Sequence, residues 1–409
     1  MTHYPCRHCG SPLEHTVIDL GHQPPSNAYL EPEQLALPEI TYPMKVFVCS
    51  SCWLVQLPEH AAAEQLFTPD YAYFSSTSSS WCAHAERFVA EAVDRLDLGP
   101  QSLVVELASN DGYLLQYVQQ RGIPCLGIEP THATAVEARA KGIATLERFF
   151  GAALAEQLVS KAGAAAGGAD LVVANNVLAH VPDINDFVAG IARLLKPQGR
   201  VAIEFPHLLR LLAGNQFDTI YHEHYSYLSL KVVQRIASAA SLAVVDVEEL
   251  STHGGSLRLW LAHQGAAEPS AAVQAVLEAE VAAGLETLAA YADFQHRAEA
   301  AKHALLAFLL QAKRDGRTIL GYGAAAKGNT LLNYAGIRAD LLAAVADRAA
   351  SKQGKYLPGS HIPVIDPNQL AACDPHTLLV LPWNLLDEVA EQWPGMRLAT
   401  AIPELRLRE

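Results

Sequence analysis

Residues Ser102–Gln120 read SLVVELASNDGYLLQYVQQ, and this order of residue types predicts a buried strand, a tight turn and a helix. Ser102–Leu107 is a short apolar run suited to a buried parallel strand, Ala108–Gly112 is the turn, and Tyr113–Gln120 is the helix. The alternation then repeats, with strands predicted at 125–129, 169–176 and 200–205 and helices at 131–141, 152–161 and 184–195. Strands that alternate with helices form a doubly wound α/β sheet, whose ligands lie beyond the carboxyl ends of the strands.

The turn Ala108–Gly112 indicates what kind of ligand binds there. A dinucleotide-binding turn needs several glycines so that the backbone can approach a pyrophosphate, but this turn has one glycine beside the acids Glu106 and Asp111. Two carboxylates repel a pyrophosphate and attract a cation, and Glu129 ends the second strand, where an acid commonly binds ribose hydroxyls. S-adenosylmethionine is a cationic nucleoside with a ribose, so it meets both conditions. The alternative role for Glu106 and Asp111 is helix capping.

Other side chains at the same predicted sheet edge are further candidates. Phe150 follows the third strand, where its ring could stack on adenine, with plain core packing as the alternative. Asn175 and Asn176 end the fourth strand, and His180 lies one helical turn onward. The predicted cofactor-binding residues are Glu106, Ser109, Asn110, Asp111, Gly112, Glu129, Phe150, Asn175 and Asn176.

The first residues of the chain carry two Cys-x-x-Cys pairs, Cys6 with Cys9 and Cys49 with Cys52. Two such pairs bring four thiolates together, which is what a tetrahedral zinc site requires. We therefore predict a zinc module with these four cysteines as ligands, with chance spacing of free thiols as the alternative. Because a four-cysteine site has no open position, we assign the zinc to folding and not to catalysis.

Length and charge exclude several classes of protein. A chain of 409 residues is too long for one core, so we expect several domains. The net charge of −14 argues against a nucleic-acid partner, and no run reaches the roughly 18 apolar residues that span a membrane. The N-terminus lacks the blocks of a signal peptide, and seven cysteines fit reduced thiols or metal ligands. We expect a cytoplasmic protein that is a monomer or a weak homodimer.

Tyr221-His222-Glu223-His224-Tyr225 concentrates two imidazoles, a carboxylate and two phenols in five positions. Apolar residues lie on both sides, so we expect partial burial, which moves pKa values toward those that general acid–base catalysis needs. If this stretch were extended, the two tyrosines and Glu223 would share one face and the histidines the other. A polar loop that satisfies its own backbone is the alternative. A hydroxyl-rich segment with Tyr73, residues 71–80, could likewise be either part of a polar site or a linker.

A second α/β unit is predicted after an alanine-rich helical link at 266–312. The strand Thr318–Gly323 leads into a helix through a glycine turn that carries Lys327 in place of acids. A lysine beside backbone N–H groups at a helix start suits a phosphate, so this turn is predicted to bind an anion. Asp347 ends the next strand, where an acid would meet a ribose.

Several motifs together resemble the nucleotide-sugar C-methyltransferase family, the C-3′-methyltransferases that make branched deoxysugars. The resemblance covers nearly the whole chain and is carried by VELASNDGYLL (105–115), IEP (128–130), ANNVLAHVPD (174–183), EFP (204–206) and DTIYHEHYSYLS (218–229). In that family S-adenosylmethionine methylates carbon 3 of a 4-keto-6-deoxy nucleotide sugar.

The resemblance implies roles for particular residues. His224 matches the base, Tyr221 and Glu223 match residues near the sugar, His180 matches another active-site histidine, and Tyr73 matches an active-site tyrosine loosely. The family carries a stretch similar to Thr252–Arg258, which could otherwise be only a hairpin turn. The C-terminal domain is implied to hold the nucleotide diphosphate. The predicted substrate-binding residues are His253, Gly254, Ser256, Gly323, Lys327, Asn329, Asp347, Lys355, Trp383 and Asn384.

We therefore predict a zinc module at 1–70, an S-adenosylmethionine-binding methyltransferase domain at 71–265, and a helical link with a Rossmann-like nucleotide-sugar-binding domain at 266–409. The expected substrate is a nucleotide sugar, with thymidine diphosphate as the expected nucleotide. An NAD-dependent nucleotide-sugar oxidoreductase, using the turn at Gly321–Gly323, is the alternative activity, although that turn is not a proper G-x-G-x-x-G. A third hypothesis is a zinc-bearing scaffold without enzymatic activity, but this hypothesis leaves the Tyr-His-Glu-His block unexplained.

Overall fold

The computed structural model describes residues 4–67 and 74–408, and within them the chain forms three β-sheets. The N-terminal elements are β1 (His15–Gln23), β2 (Tyr42–Val48), β3 (Val55–Gln56) and α1 (Ala63–Leu66). These strands pair antiparallel in chain order, and a fourth strand, Ser226–Tyr227, joins the sheet beside β3 from much later in the chain. The N-terminal module is therefore built partly from the segment that follows His224.

The central domain contains the predicted alternation of strands and helices. Its elements are α2 (Ser79–Leu96), β4 (Val104–Leu107), α3 (Leu115–Gln120), β5 (Cys125–Ile128), α4 (His132–Ala140), β6 (Thr145–Leu146), α5 (Ala152–Val159), β7 (Ala169–Asn175), α6 (Ile184–Leu194), β8 (Leu195–Pro206), α7 (Leu208–Ala213), β9 (Ser226–Tyr227), α8 (Leu230–Ala239), β10 (Leu242–Leu250) and β11 (Ser256–His263). The seven-stranded sheet has the order β10-β11-β8-β7-β4-β5-β6, in which β11 is antiparallel to both of its neighbours.

The order of these strands locates a ligand crevice. From β4 the chain moves outward to β5 and β6, and then returns to the other side of β4 to form β7 and β8, all parallel. A reversal of this kind opens a crevice beyond the carboxyl ends of the two strands at the switch, here β4 and β7. The predicted doubly wound α/β fold is confirmed, and its crevice lies between Glu106 and Asn175.

The C-terminal domain repeats this arrangement on a smaller scale. Its elements are α9 (Ala271–Ala282), α10 (Phe294–Arg314), β12 (Ile319–Tyr322), α11 (Ala326–Ala335), β13 (Val345–Ala346), β14 (Val364–Ile365), α12 (Leu370–Cys373), β15 (Thr377–Val380), α13 (Leu386–Gln392), β16 (Leu398–Thr400) and β17 (Arg406–Arg408). The sheet order β14-β13-β12-β15-β16-β17 reverses between β12 and β15, which opens a second crevice beside Gly323. No helix within 4–67 and 74–408 is both long enough and apolar enough to cross a bilayer.

One apolar core holds the three parts of the chain together. It includes Val46 of β2, Leu211 of α7, Phe217, Leu305 of α10 and Leu331 of α11, each at most 5% exposed. A fully buried leucine or phenylalanine side chain contributes about 2 kcal/mol, so this shared core fixes the modules against one another. Side chains from all three parts can therefore form one site.

A buried carboxylate also ties the helical link to the central domain. Glu280 of α9 accepts hydrogen bonds from the backbone N–H groups of Leu230 (2.6 Å) and Lys231 (3.0 Å), at the N-terminus of α8. It also accepts a hydrogen bond from His207 Nε2 at 2.8 Å. The positive end of the helix dipole and three donors stabilise this buried charge.

Replacing Glu280→Ala is expected to lower the free energy of unfolding by about 3 kcal/mol, because it leaves buried donors without an acceptor. Chemical denaturation of the variant measures this loss. Glu278→Ala on the exposed side of the same helix is the matched control and should change stability by less than about 0.5 kcal/mol. Equal effects of the two substitutions would show that the Glu280 contacts contribute nothing specific.

Candidate active site

The four cysteines of the Cys-x-x-Cys pairs come together beside the N-terminal sheet. Their sulfur atoms all lie within 4.8 Å of one another, and the Cys6–Cys52 and Cys9–Cys49 pairs are each 3.5 Å apart. Tetrahedral Zn–S bonds of about 2.3 Å place sulfurs about 3.8 Å apart, so the cluster fits zinc. Gln56 Nε2 donates to Cys6 Sγ at 3.1 Å, as outer partners of metal-bound thiolates do. All four ligand positions are cysteines, so the geometry fits a structural ion.

Three buried carboxylates meet at the crevice of the central sheet. Glu106, Asp111 and Glu129 are each at most 4% exposed. Burial, followed by the charges of Glu129 and Asp111, raises the pKa of Glu106 well above its usual value. Within the described part of the chain, Glu106 Oε2 and Asp111 Oδ1 have no hydrogen-bond partner. A positively charged ligand would relieve the repulsion and bind these free oxygens, so the site fits the predicted cationic cofactor.

Glu129 holds the turn that precedes α3 in shape. Its Oε2 accepts a hydrogen bond from Asn110 N at 2.8 Å, and its Oε1 accepts from the N–H and hydroxyl of Thr131 at 2.9 and 2.5 Å. Ser109 is fully buried in this turn. Gly112 has φ +75°, and a Cβ there would stand 2.4 Å from Ile143 Cδ1, so only glycine fits. Carboxylate oxygens accept more than one bond, and ribose binding by Glu129 stays a prediction.

The hydroxyl-rich segment packs directly on this turn. Ser75 N donates to Asn110 Oδ1 at 2.8 Å, and the Ser76 hydroxyl donates to Asp111 Oδ2. Of the two alternatives left open by the sequence, these contacts favour a place beside the cofactor over a plain linker. Tyr73 itself lies outside the described residues.

Asn175 and Asn176 end β7 on the other side of the crevice. Their Oδ1 atoms are buried and have no hydrogen-bond partner among residues 4–67 and 74–408. Phe150 packs edge-on against Phe187 of α6, with 5.4 Å between ring centroids. This contact favours the core-packing alternative for Phe150. The Oδ1 atoms of the two asparagines can still accept hydrogen bonds from a ligand.

The segment Tyr221–Tyr225 is a turn, because His224 N donates to Tyr221 O at 2.9 Å. The two faces that an extended strand would give are therefore not formed. The ring centroids of Tyr221 and His224 lie 3.9 Å apart. His222 has a different neighbour and is buried against Tyr42 of β2, with 5.7 Å between ring centroids.

The hydrogen bonds of His224 and His180 define which ring nitrogen is free. His224 Nδ1 lies 2.8 Å from Thr219 O, and His180 Nδ1 lies 2.8 Å from Glu223 O. A carbonyl only accepts hydrogen bonds, so each Nδ1 carries the proton and each Nε2 keeps its lone pair. The two rings are 4.6 Å apart.

Both imidazoles are neutral near pH 7. Burial, followed by the neighbouring His180, lowers the pKa of His224 well below its usual value. Burial also lowers the pKa of His180 to about 4. A neutral imidazole with a free Nε2 beside a ligand crevice has what a general base requires.

The N-terminal module contributes a residue that the sequence did not single out. Asn27 Nδ2 donates to Glu223 Oε1 at 3.0 Å, and the neighbouring Ser26 carbonyl accepts from Asn329 Nδ2 at 2.7 Å. Glu223 is 1% exposed, and burial raises its pKa. The segment 24–29, which begins with two prolines, thus connects the Tyr221–Tyr225 turn with α11. The polar pair Ser26 and Asn27 was the one local feature of the sequence that could have indicated this contact.

The turn between β10 and β11 faces the C-terminal domain. His253 lies edge-on to Trp81 at 5.1 Å, and burial lowers its pKa to about 4. Gly254 has φ +87°, and a Cβ there would stand 2.3 Å from the ring of Trp383, so glycine permits this contact. Ser256 is buried and its hydroxyl donates to the Thr252 carbonyl at 3.0 Å, so this side chain closes the turn.

The glycine turn after β12 is shaped by charged side chains. Asp347 accepts hydrogen bonds from Ala324 N at 2.7 Å and from Ala349 N at 2.8 Å. Lys352 Nζ donates to Ala324 O at 2.8 Å, and Gly323 has φ +86° against the ring of Pro382. Asp347 therefore builds the turn, and its predicted ribose contact is not tested by these bonds.

Two lysines near this turn have different partners, and the predicted substrate contact of Lys355 stays a prediction. Lys355 lies 3.0 Å from Glu31 Oε1 and forms an ion pair with the N-terminal module. Lys352, three residues earlier, is the lysine that reaches the glycine turn, where it also lies 5.6 Å from the ring of Tyr29. Nothing in the sequence distinguished Lys352 from Lys355, because both precede the same loop.

Lys327, Trp383 and Asn384 come together at the second crevice. Lys327 Nζ donates to Asn384 Oδ1 at 2.7 Å and lies 4.9 Å from the centroid of the Trp383 ring. The structure thus joins Lys327 to two adjacent predicted substrate residues that lie more than fifty positions later in the chain.

Three family models match the chain in succession. They are described as "Putative zinc binding domain" over residues 6–67, "Methyltransferase domain" over 81–247 and "C-methyltransferase C-terminal domain" over 251–402. C-methyltransferase NovU from Streptomyces niveus is 34% identical over 408 residues, which cover 98% of this chain and 96% of that protein.

Among solved structures, magnesium protoporphyrin IX methyltransferase ChlM from Synechocystis PCC 6803 with bound SAM is 17% identical, with a TM-score of 0.32, and covers 44% of this chain and 79% of its own. PH0226 protein from Pyrococcus horikoshii OT3 is 14% identical, with a TM-score of 0.39, and covers 47% of this chain and 95% of its own.

The fold, the acidic crevice and the matched domains define an S-adenosylmethionine-dependent methyltransferase with an N-terminal zinc module. More particularly, the chain belongs to the C-methyltransferase family, to which NovU also belongs. The family resemblance predicted from the motifs is confirmed, and the oxidoreductase and scaffold alternatives are set aside.

Proposed function

We propose that this enzyme methylates carbon 3 of a nucleotide-linked 4-keto-6-deoxy sugar, with thymidine diphosphate as the expected nucleotide. The observation that carries the proposal is the neutral His224, which has Nδ1 bound to the Thr219 carbonyl, keeps a lone pair on Nε2 and lies within the field of Lys327 from the C-terminal domain. A carbon next to a ketone is acidic enough for an imidazole to deprotonate when the resulting charge is stabilised.

The two crevices suit the two ends of this reaction. Glu106, Asp111 and Glu129 would hold the cationic cofactor, which supplies an electrophilic methyl group when bound. At the second crevice, the N-terminus of α11 and Lys352 present backbone N–H groups and a cation that suit a diphosphate. A sugar attached to that diphosphate would then extend toward His224.

The residues around His224 would orient the sugar and the base. The Thr219 carbonyl holds the His224 ring in the tautomer that accepts a proton at Nε2. Tyr221 lies against the same ring, and His180 lies on its other side with its own Nε2 free. Glu223 is fixed by Asn27 and is available to hydrogen-bond a sugar hydroxyl.

An assay with a panel of sugar nucleotides tests this proposal. With labelled S-adenosylmethionine, we expect methylation of 4-keto-6-deoxy sugars and none of the matching 4-hydroxy sugars, because only the ketone acidifies the neighbouring C–H bond. Varying the nucleobase ranks thymidine against other nucleotides. Transfer of the label to an oxygen or nitrogen atom, or equal turnover of the 4-hydroxy sugars, would contradict the proposal.

A further inference from the structure

Lys327 is linked to the turn that holds His224 by contacts of Trp383, and these contacts lie outside the glycine turn after β12. Its neighbour Trp383 donates from Nε1 to Asp218 Oδ2 at 2.8 Å, and Asp218 is fully buried beside Thr219. Thr219 in turn accepts the hydrogen bond from His224 Nδ1. The Lys327 side chain is thus fixed, through Trp383 and the 217–219 turn, next to the base.

Trp383 also fixes this position from a second direction. Its ring packs on the α-carbon of Gly254, where any side chain would overlap it. The adjacent His253 responds to the lysine, since its pKa is lowered first by burial and then by the charge of Lys327. The charge of Lys327 also contributes, after burial, His180 and His253, to the lowered pKa of His224. Lys327, His253 and His224 therefore border one space.

The deprotonation proposed between these three residues needs a nearby cation. When a base removes the proton from a carbon next to a ketone, the C–H bonding electrons form a C=C bond and the carbonyl electron pair moves onto oxygen. The proton goes to His224 Nε2, and the new negative charge resides on the former ketone oxygen. His180 and His253, with pKa values of about 4, are uncharged near pH 7 and bring no positive charge. A fixed donor that is already charged stabilises such an oxyanion without reorganisation. Burial lowers the pKa of Lys327, and the charge of the neighbouring Asp218 opposes this shift.

A second cation lies at the glycine turn. Lys352 Nζ donates to the Ala324 carbonyl at 2.8 Å, beside the start of α11, and lies 3.7 Å from Asp347 Oδ2. Lys327 Nζ instead donates to Asn384 Oδ1 and lies over the ring of Trp383, whose Nε1 donates to Asp218 beside Thr219. Of the two lysines, Lys327 is therefore the one linked to the turn that holds His224.

We propose that Lys327 is a catalytic residue, which binds the ketone oxygen and stabilises the oxyanion formed when His224 removes the proton, and that Lys352 serves the diphosphate. The proposal rests on the function proposed above. The enolate then re-forms its C=O bond as carbon 3 bonds to the methyl group, whose former bonding electrons stay with sulfur, so that charge balances across the step. The sequence had assigned Lys327 to the diphosphate.

Proton exchange separates this role from a binding role. The full-length enzyme is incubated in D₂O with a 4-keto-6-deoxy sugar nucleotide and S-adenosylhomocysteine, and deuterium entering carbon 3 is followed by NMR, with methyl transfer measured in parallel. Lys327→Met is expected to lower both the exchange rate and kcat by about 100-fold or more, with KM changed less than about threefold. Lys352→Met should mainly raise KM, about tenfold. The exposed Lys313→Met is the unaffected control.

Two further Lys327 variants and the pH dependence of kcat/KM distinguish loss of the charge from a structural effect. Lys327→Arg keeps a charge and should recover part of the exchange rate, whereas Lys327→Gln repeats the loss if the methionine variant does not fold. Removing the cation should also move the acid limb of kcat/KM to higher pH, because the pKa of His224 rises. A Lys327→Met enzyme with normal exchange and a raised KM would overturn the proposal. Absence of both exchange and methylation in the unmodified enzyme would instead refute the proposed substrate.

Discussion

His224→Asn is expected to lower kcat for methyl transfer by about 1,000-fold, because the amide cannot take up a proton where Nε2 of the imidazole does. An asparagine side chain is short and neutral, so the crevice at Glu106 and Glu129 should be undisturbed. Calorimetry with S-adenosylhomocysteine should therefore give an affinity within about twofold of the unmodified enzyme. Deuterium exchange at carbon 3 should fall in parallel with methyl transfer.

The control for this substitution is His303→Asn, on the exposed side of α10 and away from the crevice. It should leave kcat, KM and cofactor affinity unchanged. If His224→Asn loses methyl transfer but retains exchange at carbon 3, the base is another residue, and His180 with its free Nε2 is the first to test. Full activity of His224→Asn would remove it from the mechanism altogether.

The parts of the fold that follow from local periodicity could be predicted from the sequence. The strand, turn and helix at Ser102–Gln120 and the later alternation are local, and strand ends at a sheet edge place Glu106, Asp111 and Glu129 together by topology. The four zinc ligands followed from spacing in the same way, since two Cys-x-x-Cys pairs have few other uses.

The contacts between modules could not be predicted, because they join positions far apart in the chain. Asn27 and Glu223 are separated by 196 positions, and Trp383 and Asp218 by 165. Neither pair leaves a periodic signal, and each depends on how whole domains pack on the core around Phe217. The position of Lys352 could not be predicted for the same reason, since a glycine turn indicates an anion site but not which other lysines lie near it.

The turn at Tyr221–Tyr225 shows where local reasoning reaches its limit. An extended conformation would place the tyrosines and Glu223 on one face, but Thr219 and Tyr221 offer carbonyl groups that His224 binds instead. Strand β9 begins only at Ser226, where it pairs with β3 of the zinc module. His224, the proposed base, is thus held by a turn whose exit is anchored in another module, so we expect disruption of the zinc module to disturb catalysis as well.

Glu129→Ala is expected to weaken binding of S-adenosylhomocysteine by about 100-fold, because hydrogen bonds to a charged group contribute about 1.5–3 kcal/mol. The substitution removes the predicted acceptor for the ribose hydroxyls. It also frees the N–H of Asn110 and the hydroxyl of Thr131, so that the turn at Ala108–Gly112 loses part of its support. Calorimetry measures the total loss but does not separate these two causes.

A thermodynamic cycle that combines Glu129→Ala with a modified ligand separates the lost ribose contact from the loosened turn. The 2′-deoxy analogue of S-adenosylhomocysteine lacks one hydroxyl that Glu129 is predicted to bind, so the unmodified enzyme should bind it more weakly. If Glu129 contacts the ribose, the losses from Glu129→Ala and from the analogue will not add, whereas losses caused by a loosened turn will add fully. Glu147→Ala, in which an exposed carboxylate near His132 is removed, is the control that should leave both affinities unchanged. Full additivity would limit Glu129 to shaping the turn and would leave the ribose hydroxyls to another acceptor at the same edge, such as the free Oδ1 of Asn175.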